Sequence, residues 1–253
     1  MILIGIDDTD VAGSRGTNQL ARHIVRSVAA DWQCLWIVRH QLLDDPRVPC
    51  TTKNGSASIA LERRSTSDSS GPDTQTESGK DITPTQINAL LASCRDLMRT
   101  EFIDGSDPGL CLLSGTCPQE VMDWGVRCQH EFVSRDVAYQ IARDNDVHLE
   151  SLGGTEDGVI GALAAVGLAS LRNDGRIVQW REWPDDLSHE QNVQALVERD
   201  VWICHRSSGN KIKRGTVDVG KHLRPNLRSG AAVLTVEPVE SATPHHYRAL
   251  KLP

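Results

Sequence analysis

Apolar and polar positions follow two rhythms along the chain, and the first switch between them comes within the opening thirty residues. "ILIGI" at 2–6 is an unbroken apolar run of strand length, and "TNQLARHIVRSVAADW" then places Leu20, Ala21, Ile24, Val25 and Val28 at helical spacing. The chain opens as strand, acidic turn, helix. "LWIVRHQLL" predicts a second strand and "ASIALE" a third, separated by the polar turn "PRVPCTTKNGSAS" with its Asn54-Gly55 pair. Residues 65–84 carry almost no large apolar side chain and predict a solvated, mobile loop. Thr83 then offers an N-cap and Pro84 a first helical position, opening a helix through "TQINALLASCRDLM".

Further along, "GLCLLS" predicts a strand and "RDVAYQIARDND" a helix, while "VIGALAAVGLASL" is apolar on every face and reads as a buried helix. "RIVQWREW", "DVWICHR" and "AAVLTVEP" supply strands, with a helix in "SHEQNVQALVERD" between the first two. Strands and helices alternate without a regular βαβ beat. That pattern favours an α+β fold over a doubly wound sheet. No repeat occurs at solenoid periods.

Composition narrows the classes. The chain of 253 residues can bury a full core, and 27 basic against 34 acidic side chains give a net charge of −7, which argues against coating nucleic acid by bulk charge. Any polyanion site must be local. The seven cysteines form no CxxC pair, so neither a zinc ribbon nor a disulfide framework is expected. "MILIGI" runs directly into acidic residues without signal-peptide features, which makes a cytoplasmic protein the expectation, and the longest apolar run is too short to cross a bilayer.

Three stretches carry candidate chemistry. "GIDDTD" packs Asp7, Asp8 and Asp10 onto one strand-to-turn junction. Their mutual repulsion calls for hydrogen bonds, basic partners or a cation, and Mg²⁺ suits one or two carboxylates with water and phosphate completing its shell. The alternative is that Asp7 and Asp8 cap the following helix. "GGTEDGVIGALAAVG" sets Gly153, Gly154 and Gly158 before a helix whose first turn holds Gly161. Such a segment either lets phosphate approach free helix amides or is a turn into a tightly packed small-residue helix. It matches neither a Walker motif nor GxGxxG. "KIKRGTVDVGKHLRPNLR" at 211–228 carries Lys211, Lys213, Arg214, Lys221, Arg224 and Arg228 against a single acid, Asp218, and reads as an anion site or a solvated basic loop. Few aromatics accompany it. No GxSxG elbow and no HExxH occurs.

Taken in order, these stretches resemble the archaeal tRNA-isoleucine agmatidine synthetase family. "GIDDTDVAGSRGTNQLA" is similar to the family's opening box, with Thr17 at the position of the threonine that looks like its phosphate acceptor. "VPCTTKNGSA" matches the family's Ile-Pro-x-Lys-Thr-Arg-Gly-Asn-Gly-Ala segment imperfectly: Thr52 and Lys53 fall at its Thr and Arg, and Thr51 replaces its lysine. "SDPGL" is similar to the Asn-Pro-Gly turn, and "GVIGALAAVG" to the Gly-Leu-Ile-Gly-Ala-Leu-Ala-Ala box. The family continues into an OB-fold and a zinc ribbon that grip tRNA, neither of which is matched here.

The resemblance implies an ATP- and Mg²⁺-dependent enzyme that phosphorylates a carbonyl oxygen and lets a primary amine, agmatine in the family, displace the phosphate. Asp7, Asp8 and Asp10 would hold Mg²⁺, Gly154, Gly158 and Gly161 with Thr52 and Lys53 would hold ATP, and Lys221, Arg224 and Arg228 would meet an anion of the acceptor. It also implies two interleaved α/β sandwich domains: residues 1–62 with 130–181 as a kinase-like ATP domain, and 63–129 with 182–253 as a ferredoxin-like partner. The acceptor would then be a small molecule or a compact nucleic-acid element. A tRNA cytidine-modifying enzyme with separate RNA-binding partners, and a nucleotide-binding regulatory module without turnover, are the competing readings.

Overall fold

The computed structural model describes residues 1–11, 13–14, 16–48, 53–64, 82–181, 183, 187–239 and 246–252. Thr51, Thr52 and most of the polar stretch expected as a loop, residues 65–81, lie outside the described residues. In chain order the elements are β1 (Ile2–Asp7), α1 (Thr17–Ser27), β2 (Trp32–Arg39), β3 (Ala57–Arg63), α2 (Pro84–Thr100), β4 (Gly109–Ser114), α3 (Gln119–His130), α4 (Arg135–Asp144) and β5 (His148–Ser151). They continue with α5 (Gly158–Leu171), β6 (Arg176–Trp180), β7 (Glu190–Asn192), α6 (Val193–Val197), β8 (Val201–His205), β9 (Thr216–Asp218), β10 (Asn226–Arg228), β11 (Ala231–Pro238) and β12 (His246–Ala249).

One mixed sheet runs β5-β4-β1-β3-β2-β6-β10-β11-β12-β9-β7, with β8 added on β11. Its pairings are antiparallel except β8 with β11 and β9 with β12. The fold is α+β. β1 alternates its side chains between two apolar layers: Ile2, Ile4 and Ile6 pack with α1 and α2, while Leu3 packs with α5 and α3. Helix α5 can lie flat on β1 because Gly5 faces the Ala162 carbonyl, where a Cβ would collide. Buried all round, α5 is covered outside by α3 and α4. A third cluster of Val193, Leu196, Val201, Ile203, Val217, Leu234 and Val236 closes the C-terminal strands.

One sheet runs through both sets of segments in the interleaved division expected from the resemblance. β4 comes from the 63–129 segment, yet it pairs with β1 from Ile2↔Ser114 to Asp7↔Gly109 and with β5 on its other edge. α3, from the same segment, packs on α5. Residues 1–181 supply most of two apolar layers, Leu227 and Ala232 join the first, and β10 pairs with β6 at Asn226↔Arg176.

Local signals hold where they are chemically specific. Thr83 accepts from the Gln86 amide while the Gln86 side chain accepts from the Thr83 N–H, a reciprocal capping box, and Pro84 opens α2. Other expectations shift. α1 ends at Ser27 rather than running to Trp32, because Trp32 already packs in the sheet. The helix expected over 188–200 is strand β7 followed by the single turn α6, since the Asn192 side chain caps the Gln194 and Ala195 amides and restarts the chain. α3 is not among the expected elements although Val121, Trp124, Gly125 and Cys128 fall at helical spacing, while β5, β9, β10 and β12 are too short to show a rhythm. Among the described residues no helix is long and apolar enough to cross a membrane.

Candidate functional site

β1 delivers its carboxylates at the point where the strand leaves the sheet. Asp7 is the last strand residue and points toward α5, where a Cβ on Gly161 would run into its carboxylate. Asp8 takes a left-handed φ of 47°, a conformation aspartate tolerates better than most side chains, and turns the chain away. Two residues on, Asp10 meets the start of α1: the buried Thr17 hydroxyl donates to Asp10 Oδ1 at 3.0 Å and accepts from Thr9 Oγ1 at 3.1 Å. The expectation that Asp7 and Asp8 cap α1 is not met; Gly16 is the N-cap and no side chain bonds there.

A fourth carboxylate joins from a distant segment. Asp107, in the turn before β4, is buried, and its backbone N–H donates to the Asp8 carbonyl at 2.9 Å. Its carboxylate accepts from the Glu156 amide at 2.7 Å, the Asp157 amide at 3.1 Å and the Thr155 hydroxyl. The anion beside the N-terminus of α5 is therefore a side chain of the protein, stabilised by the amides and dipole that would attract phosphate. Gly154 sits in the left-handed region at φ +68° against Asp107, and Gly158 faces the Asp107 carbonyl so closely that a Cβ would overlap it. Packing against Asp7 and Asp107 accounts for the glycines at 154, 158 and 161.

Charge is poorly compensated at this centre. Burial first, then the neighbouring carboxylates Asp8 and Asp10, push the Asp7 carboxyl up to about 7, against the lowering effect of the Asp8 backbone N–H and Arg39. Burial followed by Asp107, Asp10 and Asp157 pushes Asp8 up to about 6. Arg39, at the end of β2, is the nearby cation. Its own pKa is lowered by burial and by Arg176, and raised by Asp7 and Asp10. Its guanidinium reaches the Lys53 carbonyl at 3.5 Å, whereas the Lys53 side chain is exposed.

The expected three-carboxylate cage of Asp7, Asp8 and Asp10 is not assembled: among the described residues no group of three or more His, Cys, Asp or Glu side chains is placed to hold a metal ion. The reason is geometric. Asp7 faces α5, Asp8 sits on the left-handed turn, and Asp10 is drawn to Thr17. The donors still suit a hard cation, being carboxylate oxygens in excess of local positive charge, and Mg²⁺ needs only one or two of them when water and phosphate complete its shell.

The basic segment divides. Lys221 is exposed beside His222, whose pKa is lowered by slight burial and then by Arg224, Arg22 and Lys221. One Arg224 N–H donates to the Leu223 carbonyl at 2.8 Å, and Arg228 reaches the Asn173 and Leu227 carbonyls at 3.3 and 3.0 Å. Sequence reasoning missed Asp107, Thr9, Arg39 and Arg176 as site residues. The Ser-Asp-Pro-Gly turn was the only local signal for the first, and nothing distinguishes the arginines from ordinary strand ends.

The fold is similar to that of solved enzymes that act on tRNA. A tRNA fluorescent labeling enzyme superposes with a TM-score of 0.52 at 19% identity, covering 66% of this chain and 35% of the other. TiaS, the tRNAIle2 agmatidine synthetase, is a second such neighbour. Its complex with tRNA(Ile2) and ATP gives a TM-score of 0.51 at 19% identity over 66% of this chain and 36% of TiaS. Its complex with tRNA(Ile2), AMPCPP and agmatine gives 0.52 at 15% over 85% and 52%. The chain thus spans between about a third and a half of the length of these neighbours. No protein-family model matches the chain, and no curated protein matches it.

Proposed function

We propose that this protein is an ATP- and Mg²⁺-dependent enzyme of the agmatidine synthetase kind, which activates a carbonyl oxygen by phosphorylation for attack by an amine, with a nucleic-acid base such as a tRNA cytosine as the acceptor. The observation that carries this reading is the Thr17 hydroxyl, buried and donating to Asp10 at 3.0 Å within one turn of an undercompensated carboxylate cluster. The shared fold supports it. An ordinary structural threonine has no need of such company.

In this reading Asp10 orients the Thr17 hydroxyl and takes its proton as Thr17 Oγ bonds to the terminal phosphorus of ATP, while the bond to the β–γ bridging oxygen breaks and ADP leaves. Asp8, with Asp7 or Asp10, would hold Mg²⁺, which when bound offsets charge on the phosphates. Segments 1–62 and 130–181 supply this ATP site, with Asp107 from between them. Gly154, Gly158 and Gly161 let α5 and its loop approach Asp7 and Asp107, and a nucleotide phosphate would compete with Asp107 for the 156–157 amides. In the second half the phosphorus bonds to the acceptor's carbonyl oxygen as its bond to Thr17 Oγ breaks, and the threonine oxygen takes its proton back from Asp10. An amine such as agmatine then bonds to the carbon, the C–O bond breaks, inorganic phosphate leaves and the amine loses a proton.

Incubation with γ-labelled ATP and Mg²⁺, followed by peptide mapping, tests the first half. Label is expected on Thr17, absent in Thr17→Ala, with ATP affinity retained. ATP binding with no transfer to any residue or amine would favour a nucleotide-binding regulatory module instead.

A further inference from the structure

Four cationic side chains far apart in sequence converge on one cleft of about 210 Å³. Arg176 comes from β6, Arg224 from the turn before β10, Arg248 from β12, and Lys251 from the segment after it; His222 completes the rim. Among the described residues Asp218 is the one carboxylate lining it, and Asp218 Oδ1 already accepts from the Gly220 amide at 2.9 Å. Among the described residues no ion pair engages Arg248 or Lys251. On a chain of net charge −7, four cations gathered around one carboxylate are not an average surface.

Topology connects the cleft to the acidic centre. Arg176 is the register partner of Arg39, Arg39 that of Ala57, and Ala57 that of Ile6, so one row of the sheet leads from the end of β1 to the cleft. Three strand spacings separate the two, about 14 Å. Arg39 feels both Arg176 and the carboxylates Asp7 and Asp10. The cleft has room for about seven waters at the liquid's volume per molecule, more than one phosphate group fills. A ligand seated there and reacting at the carboxylates must extend across the row. A nucleotide chain does so; free phosphate does not.

We infer that the cleft lined by Arg176, His222, Arg224, Arg248 and Lys251 binds the phosphodiester backbone of a nucleic-acid acceptor and aims it along the Arg39–Arg176 row toward Thr17. Guanidinium forks suit phosphate oxygens, and no Phe, Tyr or Trp lines the cleft, so it grips the backbone more than it stacks bases. This rests on the proposed function for the acceptor's destination, but not for its binding.

The test is the affinity of the full-length protein for a short labelled RNA hairpin, without ATP, across a salt series. The double variant Arg248→Glu, Lys251→Glu changes one exposed and one C-terminal side chain that the apolar core does not use. It is expected to weaken RNA binding at least tenfold and to flatten the salt dependence by roughly two phosphate contacts, with melting temperature and ATP affinity unchanged. Pyrophosphate at matched phosphate concentration is expected to compete poorly. RNA affinity within twofold of the parent in the double variant, no RNA binding by the parent, or full displacement by pyrophosphate would each overturn the inference. Loss of RNA binding in the variant beside absent Thr17 labelling in the parent keeps the cleft and removes the phosphorylation mechanism.

Discussion

The acidic centre at the end of β1 and the basic cleft beside β6 and β12 are built in opposite ways. Three of the four central carboxylates lie within four consecutive positions, Asp7 to Asp10, and only Asp107 arrives from elsewhere. The cleft draws its cations from positions 176, 224, 248 and 251, brought together only by strand order. A turn concentrates like charge through the sequence itself and meets the electrostatic cost locally. A cleft between strands concentrates it through topology, so each cation enters with a different surrounding. The first arrangement is legible in a string of letters, and the second is not.

The comparison extends to two carboxylates near α5. Asp174 accepts from the fully buried His40 Nδ1 at 2.7 Å and from Gln129 at 3.1 Å, while His40 Nε2 meets Ser58 Oγ at 2.8 Å. Burial raises the Asp174 pKa, but the His40 hydrogen bond and charge, Gln129 and Arg228 outweigh it and hold the carboxyl below its usual value. Asp7 shows the reverse. A carboxylate that serves the fold is paired until ionisation is favoured, and one poised for a ligand is left costly when ionised.

The largest effect is therefore expected at Asp174. Asp174→Ala strips the buried His40 of its acceptor and should cost about 2–3 kcal/mol near neutral pH, read as a shift in urea midpoint. Because folding lowers its pKa, the contribution is present above the unfolded value of 3.8 and fades as pH falls through the lower folded value. The deficit of the variant should shrink in acid; a deficit as large at pH 3 as at pH 7 would show a packing effect instead.

Asp7→Asn should move the other way. Folding raises the Asp7 pKa from 3.8 to about 7, so its favourable contribution is complete below the unfolded value and is lost as pH rises through 7. Without divalent cation the variant should gain about 1–3 kcal/mol over the parent at pH 8 and little at pH 4. Equal stability at both pH values would mean that Arg39 or the Asp8 amide already compensates the charge.

Asp8→Asn and Asp10→Asn test the same centre through its ligand. Each should lower Mg²⁺-dependent ATP affinity about tenfold or more, ~1.4 kcal/mol, while leaving the apoprotein folded with unchanged or improved stability, since removing one charge relieves repulsion. Unchanged nucleotide affinity by calorimetry in both variants would remove these carboxylates from the ATP site.

Much of this centre could be read in advance because its signals are local: three aspartates beside an apolar strand, a threonine at a helix start, a glycine-rich buried helix. The role of the glycines could not. Gly154 and Gly161 look the same in sequence whether a phosphate or a carboxylate lies against them, and the structure places the Asp107 and Asp7 carboxylates there. Strands β9, β10 and β12 are three or four residues long and take their order from partners, so periodicity had too few positions to reveal them. For the same reason the run at 211–228 looks like one basic patch in sequence, although only part of it faces the cleft.

That partition gives the smallest predicted effect and the sharpest. Lys213 and Arg214 belong to the basic run, are exposed, and do not line the cleft, whereas Arg248 and Lys251 lie outside the run and do. If charge in the run mattered by density alone, reversing Lys213 and Arg214 to Glu would weaken RNA as much as reversing the cleft pair. If contact with the backbone matters, the reversal acts only through a screened field, whose reach at physiological salt is about 8 Å. RNA affinity of the Lys213→Glu, Arg214→Glu variant should then fall less than about threefold, ~0.6 kcal/mol, and the salt slope should stay at the parent's value. A loss matching the cleft variant would make the basic surface diffuse and remove the distinction between a run of charge in sequence and a site in space.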